Sequence, residues 1–287
     1  MKEAKTSRIS EKINKLGLGC GFIHVNGFEV GVRVVEKAIE AGINYFDVAP
    51  TYPDAQANYG LNEKIVGRGI RGKEKEVFVA TKILTRSASE AKREIEESIG
   101  RLGKIDLIQL HAVDTTEAME LVLAENGALA AAIEAQKQGL VKYIGITNHF
   151  NPAVLEKCLA QFDFDSVLVP AGMIDHLKNR FQNLLNILQK TDKFLAGMKI
   201  LGHGALGTAA GAAIRYGLQQ PLSVVLVGAA SERELGQALE AWRQPALAVG
   251  EKRQLAEFTK AAISTKSPWW FDAPSGAFPF GHFLKSF

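Results

Sequence analysis

From residue 16 to residue 242, short apolar runs alternate strictly with stretches of helical periodicity. Strand-like residues 16–20 precede a helix over 30–41, 45–49 precede 61–69, and 77–82 precede 87–102. The run 106–111 leads into a helical region over 116–138, interrupted around Asn126 and Gly127. Then 142–147 precede 152–161, 166–169 precede 179–190, 194–201 precede 209–218, and 223–227 precede 231–242. Ser87 followed by Glu90 is an N-cap signature at the third helix. Eight such units with nothing left over predict an α/β chain closed into a (β/α)8 TIM barrel. A doubly wound open sheet would carry Gly-x-Gly-x-x-Gly after its first strand. Gly17-Leu18-Gly19-Cys20-Gly21 lacks that spacing.

The length of 287 residues suits one barrel domain, since such domains run to about 250 residues. Residues 1–15 form a polar lead-in expected to close one end of the barrel. Residues 266–287 form a tail rich in aromatics, with Trp269, Trp270, Phe271 and Phe278 among them, interspersed with Pro268, Pro274 and Pro279. It has no period, so it is expected to pack on the barrel or over its mouth. Net charge is +3 with both signs interspersed and no basic block, which gives nucleic-acid binding no support. Cys20 and Cys158 are far apart and lack metal-ligand spacing. No stretch approaches the ~18 apolar residues of a membrane span, and residues 1–15 lack an apolar signal core. A reduced, cytoplasmic protein without nucleic-acid or membrane partners is expected; the oligomeric state is not legible.

Asp47 is the residue that demands explanation. It stands in a run expected to be a buried strand, where a carboxylate is costly unless a cation or donors meet it. Lys82 ends the third run and His111 the fourth, while Tyr52 lies just beyond the second. All four therefore fall at or near C-terminal strand ends, where parallel barrels build active sites. A lysine beside a phenol favours ionised phenol and lowers its pKa from about 10. A carboxylate behind the lysine holds it charged and oriented, and a neutral histidine can donate to a carbonyl oxygen. Together these groups suit an oxygen that gains charge during reduction, with hydride supplied by a cofactor. Singly, each has a plainer reading: a structural ion pair, a satisfied core histidine, a strand-capping lysine. Their joint placement favours a site. His24, after the first strand, is a candidate substrate contact. The glycine-rich residues 202–207 either cradle a pyrophosphate through backbone N–H groups or form a simple turn.

These residues carry a resemblance to the aldo-keto reductase superfamily. The matching motifs are Phe46-Asp47-Val48-Ala49 with Tyr52, Tyr59-Gly60-Leu61-Asn62-Glu63 with Gly67, and Val79-Ala80-Thr81-Lys82. They continue with Asp106-Leu107-Ile108-Gln109-Leu110-His111, Gly145-Ile146-Thr147-Asn148-His149, and Val227-Gly228 with Ser231 and Leu235. The resemblance implies an NAD(P)H-dependent oxidoreductase that reduces an aldehyde or ketone to an alcohol. Tyr52 would be the general acid, Asp47 and Lys82 its tuning partners, and His111 the carbonyl-orienting group. Thr147 and Asn148 would hold the nicotinamide carboxamide, with Gly19, Leu201, Gly202, Gly228, Ser231 and Arg233 as further contacts to NADP, or to NAD. Tyr59, Trp269 and Trp270 would join His24 as candidate contacts around the small carbonyl substrate.

The departures from the family pattern are specific. Tyr52 precedes Pro53, and the tyrosine–glycine pair is Tyr59-Gly60, so Tyr59 is a second candidate acid. Tyr52 is preferred because the strand end fixes its distance from Asp47 better. On the sixth strand, Val167-Leu168-Val169-Pro170-Ala171-Gly172 stands where the family carries a glutamine and a stacking aromatic. Glu234 and Ala238 sit where an arginine and an asparagine are often seen, with Arg233 one position off. A catalytically weak or inactive barrel that binds a cofactor or a partner is the competing reading. A lyase or aldolase forming a Schiff base on Lys82 is a third.

Overall fold

A computed structural model describes residues 7–9, 11–51 and 58–265. Tyr52, Trp269, Trp270 and the tail 266–287 lie outside the described residues. Eight parallel strands close on themselves in chain order: β1 Leu16–Gly19, β2 Tyr45–Asp47, β3 Phe78–Ile83, β4 Leu107–Leu110, β5 Tyr143–Thr147, β6 Ser166–Pro170, β7 Phe194–Met198 and β8 Val224–Gly228. The ring closes where Leu16 to Gly19 of β1 pair with Val225 to Gly228 of β8. The predicted barrel is therefore the fold.

Strand alternation sorts the side chains into two cores. Those facing the barrel axis include Tyr45, Phe78, Ala80, Leu107, Leu168, Phe194, Ala196, Val224 and Leu226. Tyr45 lies between Phe78 and Phe194, its ring stacked at 5.2 and 5.7 Å from theirs. Ile9 of the lead-in joins this cluster, and Arg8 is bonded to Asp192, so the described lead-in plugs the N-terminal end. Gly17 is required here: a Cβ would stand 2.9 Å from both Leu226 and Val224. Outward-facing side chains such as Leu18, Phe46 and Ile108 pack beneath the helices.

The helices are α1 Phe28–Glu40, α2 Leu61–Gly69, α3 Ala88–Leu102, α4 Thr116–Leu123, α5 Ala128–Lys137, α6 Pro152–Gln161, α7 Met173–Leu177, α8 Gln182–Leu188, α9 Ala210–Leu218, α10 Glu232–Arg243 and α11 Val249–Thr265. Ser87 caps α3 as expected, accepting from Glu90 N. The region 116–138 divides into α4 and α5 around Asn126 and Gly127 as expected; Gly127 lies against the α4 carbonyls of Leu121 and Val122, where a Cβ would clash. Two predicted elements differ. The helix expected over 179–190 is replaced by α7 and α8, separated where Asn179 takes φ +49°. The seventh strand ends at Met198, not at 201, because Lys199 takes φ +60°. Helix α11 has no counterpart among the eight predicted units. It packs on α7 and α9 through a satellite core that includes Leu255, Tyr216 and Ile174. Among the described residues no helix is long and apolar enough to cross a membrane.

Candidate active site

The strand ends of β2 to β5 bring the predicted polar residues together. Asp47 ends β2, and Lys82 lies on β3 in register with Gln109 of β4. Lys82 Nζ is 2.6 Å from Asp47 Oδ2 and donates to Val48 O at 2.8 Å. Both residues are buried, at 2% and 6% exposure for Lys82 and Asp47. A buried pair of this kind offsets its desolvation only with good geometry and further hydrogen bonds. Gln109 supplies one, its Nε2 donating to Asp47 Oδ1 at 3.0 Å. Gln109 was not singled out from the sequence. The available signal was its place two residues before His111, on the same strand face.

His111 follows β4 at the mouth. Burial pushes its pKa well below the usual histidine value, and His149, Lys82, Arg86 and Lys199 push the same way, so it is neutral near pH 7. Its Nδ1 lies 3.2 Å from Thr147 Oγ1. The His149 ring meets it edge-on, with centroids 5.3 Å apart. His149 in turn pairs through Nδ1 with the buried Asp114 at 3.0 Å. This Asp114–His149 pair is a second feature the sequence reading did not find; Asp114 stands three residues past His111, and both partners sit on loops.

The expected carboxamide holders are engaged within the protein. Thr147 Oγ1 accepts from Ala112 N at 2.8 Å. Asn148 Nδ2 donates to Val113 O at 2.6 Å, and its Oδ1 accepts from Asn151 N at 2.8 Å. Both side chains are fully buried.

Tyr59 is placed elsewhere. Arg101 of α3 lies over its ring, 5.0 Å from the centroid, and the same arginine holds the buried Glu63 at 2.6 Å. Burial pushes the Tyr59 phenol up to about 12, the opposite of what a tuned acid needs. His24 points to α2, its Nδ1 2.8 Å from Asn62 Oδ1. Its neighbour Phe22, exposed at 48%, packs edge-on against His203 with centroids 5.7 Å apart. The β1 loop thus reaches the β7 loop across the mouth, and Phe22 is a pocket candidate the sequence reading missed.

The opposite side of the mouth is barer. Gly19 of β1 and Gly228 of β8 pair in register, and a Cβ on either would meet nothing closer than 3.6 Å. Past β7, Leu201 is partly buried, and the N–H groups of Gly202 and Gly204 bond to Lys199 O and Leu201 O. Those bonds fit the turn reading of residues 202–207. Lys199 beside them has its pKa pushed down to about 7 by burial, against the pull of Asp175 and Asp114. At α10, Ser231 accepts from Glu234 N at 3.2 Å, and Glu234 Oε2 accepts from Ala230 N at 2.8 Å. A carboxylate therefore occupies that helix N-terminus. Glu232 faces Arg33 and Lys37 at 3.6 and 3.7 Å, and Arg233 is exposed. Cys20, whose N–H donates to Asp47 O, is a buried thiol with its pKa raised, first by burial and then by Asp47. That makes it a poor nucleophile.

Comparison with known proteins gives one answer. Solved structures share the barrel: the holo form of aldo-keto reductase AKR11C1 from Bacillus halodurans superposes with a TM-score of 0.72 at 21% identity, covering 92% of this chain and 98% of that one. The thermostable aldo-keto reductase Tm1743, solved with the inhibitor epalrestat, gives 0.69 at 22% identity, covering 88% and 98%. Among curated relatives, the oxidoreductase YqkF of Bacillus subtilis is 26% identical over 199 residues, 64% of this chain and 61% of its own length. The methylglyoxal reductase DkgB of Salmonella typhimurium is 29% identical over 155 residues, covering 53% and 55%. The matches to these two thus span less than two thirds of either relative. The family model for the aldo/keto reductase family matches residues 16–212, the stretch that contains Asp47, Lys82 and His111. The chain belongs to the aldo/keto reductase family.

Proposed function

We propose that this protein is an NAD(P)H-dependent reductase of small aldehydes or ketones. The observation that carries the reading is the buried Asp47–Lys82 pair, braced by Gln109, beside a neutral His111. A charge pair in a barrel interior is a poor stabiliser compared with apolar packing, so its presence at the strand ends suits chemistry better than stability.

The residues present fit a nicotinamide dinucleotide at one end. The paired glycines Gly19 and Gly228 leave bare backbone at the mouth, close to the Asp47 strand, where a flat ring could approach. Gly19, Gly228 and the turn at Leu201 and Gly202 would line it. At the other end Ser231 and Arg233 would meet the adenosine moiety. The resemblance implies NADP, yet the Glu234 carboxylate at the start of α10 disfavours an added phosphate there and favours NAD. Bound, the reduced nicotinamide supplies a hydride to the carbonyl carbon. His111 donates a hydrogen bond to the carbonyl oxygen, and Tyr52 gives that oxygen its proton. Lys82, fixed by Asp47 and Val48, stabilises the phenolate left on Tyr52. The ion pair also leaves Lys82 a poor Schiff-base amine.

The internal bonding of Asn148 favours the second reading, a catalytically weak or inactive barrel that binds a cofactor or a partner. Fluorescence titration with NADPH and with NADH, followed by cofactor oxidation at 340 nm with methylglyoxal, separates the two. Methylglyoxal is chosen because DkgB is named for it. Binding with turnover that vanishes in Tyr52→Phe supports the reductase. Binding with no oxidation of cofactor by methylglyoxal or a wider carbonyl panel supports the binding protein.

A further inference from the structure

The segment after β4 has an uncommon shape. Ala112 takes φ +52°, a left-handed conformation that a residue with a side chain holds only when its surroundings enforce it. Two neighbours enforce it. Arg86 donates to the carbonyls of His111 and Ala112 at 2.7 and 3.2 Å. The end of β5 does the rest: Val113 N donates to Thr147 O at 3.0 Å, and Ala112 N to Thr147 Oγ1 at 2.8 Å. The twist thus aims a backbone N–H at the same hydroxyl that meets the His111 ring.

That convergence fixes a proton. A threonine hydroxyl carries one hydrogen and two lone pairs. Thr147 is fully buried, and one lone pair is taken by Ala112 N–H. If His111 donated from Nδ1 as well, the hydroxyl hydrogen would have no acceptor among the described residues. If instead Thr147 donates to Nδ1, both groups are satisfied, and a neutral imidazole then carries its hydrogen on Nε2. His149 commits its own Nδ1 to Asp114.

We propose that Thr147 is a positioning residue that sets the tautomer of His111, leaving Nε2–H on the far side of the ring as the hydrogen-bond donor. Its consequence for catalysis rests on the reductase reading above; the tautomer itself does not. Serine at this position would preserve the arrangement. Valine, of the same shape, would remove it.

Long-range 1H–15N correlation spectra of the uniformly labelled protein report which ring nitrogen is protonated, and a His111→Asn spectrum assigns the signal. The wild type and Thr147→Ser should show Nε2–H for His111, while Thr147→Val should move the proton wholly or partly to Nδ1. With methylglyoxal as probe, Thr147→Val should lower kcat roughly 100-fold and Thr147→Ser should restore most of it. An Nδ1–H signal in the wild type overturns the proposal without any variant. So does an unchanged Nε2–H signal in folded Thr147→Val. The expected tautomer pattern together with no turnover by the wild type would sustain the Thr147 assignment and remove the reductase reading alone.

Discussion

The two sides of the barrel mouth are built on opposite principles. On the β2–β5 side, Lys82 and Gln109 bond to Asp47, Thr147 meets His111, Asn148 donates to Val113 O, and Asp114 and His149 pair beside them. On the β8–β1 side, backbone glycines face each other and the nearest side-chain cap is acidic. A reaction needs fixed groups where charge develops, and the first side supplies them in advance. The second side offers mostly backbone and a carboxylate, so on the proposed reading it would give a cofactor shape and little charge. That reading would place chemistry on one half of the mouth and selectivity on the other.

The largest test of that contrast is Lys82→Met. Removing the cation leaves Asp47 buried without its partner, which should cost about 3–5 kcal/mol of stability and roughly 1000-fold in turnover. Urea denaturation and steady-state assays read the two. Adding Asp47→Leu to Lys82→Met should recover most of the stability and none of the turnover; recovery of both would mean the pair is structural. Next comes Gln109→Leu, which strips a donor from the Asp47 carboxylate and should destabilise by about 1.5–3 kcal/mol. In the Lys82→Met, Asp47→Leu background the same change should cost far less, which a double-mutant cycle measures.

A third effect depends on pH. The folded pKa values of His111 and His149 are both depressed, chiefly by burial. Below the unfolded value of about 6.5, the unfolded chain takes up protons that these two rings refuse, so stability falls as pH falls. The slope is at most about 1.4 kcal/mol per pH unit for each ring, and denaturation midpoints between pH 7.5 and 5.5 should show it flattened in His149→Asn. The smallest effect belongs to the bare side. Glu234→Gln should tighten NADPH binding by about two- to fivefold relative to NADH, as removal of one charge near a helix N-terminus allows.

Legibility in the sequence follows the same divide. The barrel was readable because strand and helix periods alternate; Asp47 was readable as a carboxylate inside an apolar run, and Lys82 and His111 because each ends one. Gln109 and the Asp114–His149 pair were not, since a neutral amide in a strand looks like filler and a loop aspartate looks solvated until its partner is seen. Helix α11 was missed because it follows the last strand–helix unit and its packing partners, α7 and α9, lie earlier in the chain. Tyr59 was plausible by its glycine neighbour; only the structure set it against Arg101.

The central claim is that hydride passes to a carbonyl carbon held at His111. The direct measurement is isotope transfer: NADH and NADPH carrying deuterium on the transferred face of C4, each incubated with the enzyme and methylglyoxal, with the product read by mass spectrometry and NMR. The account predicts one deuterium on the new carbinol carbon, abolished in Lys82→Met. A product without that label, or tight cofactor binding with no labelled alcohol from any carbonyl tested, would contradict it.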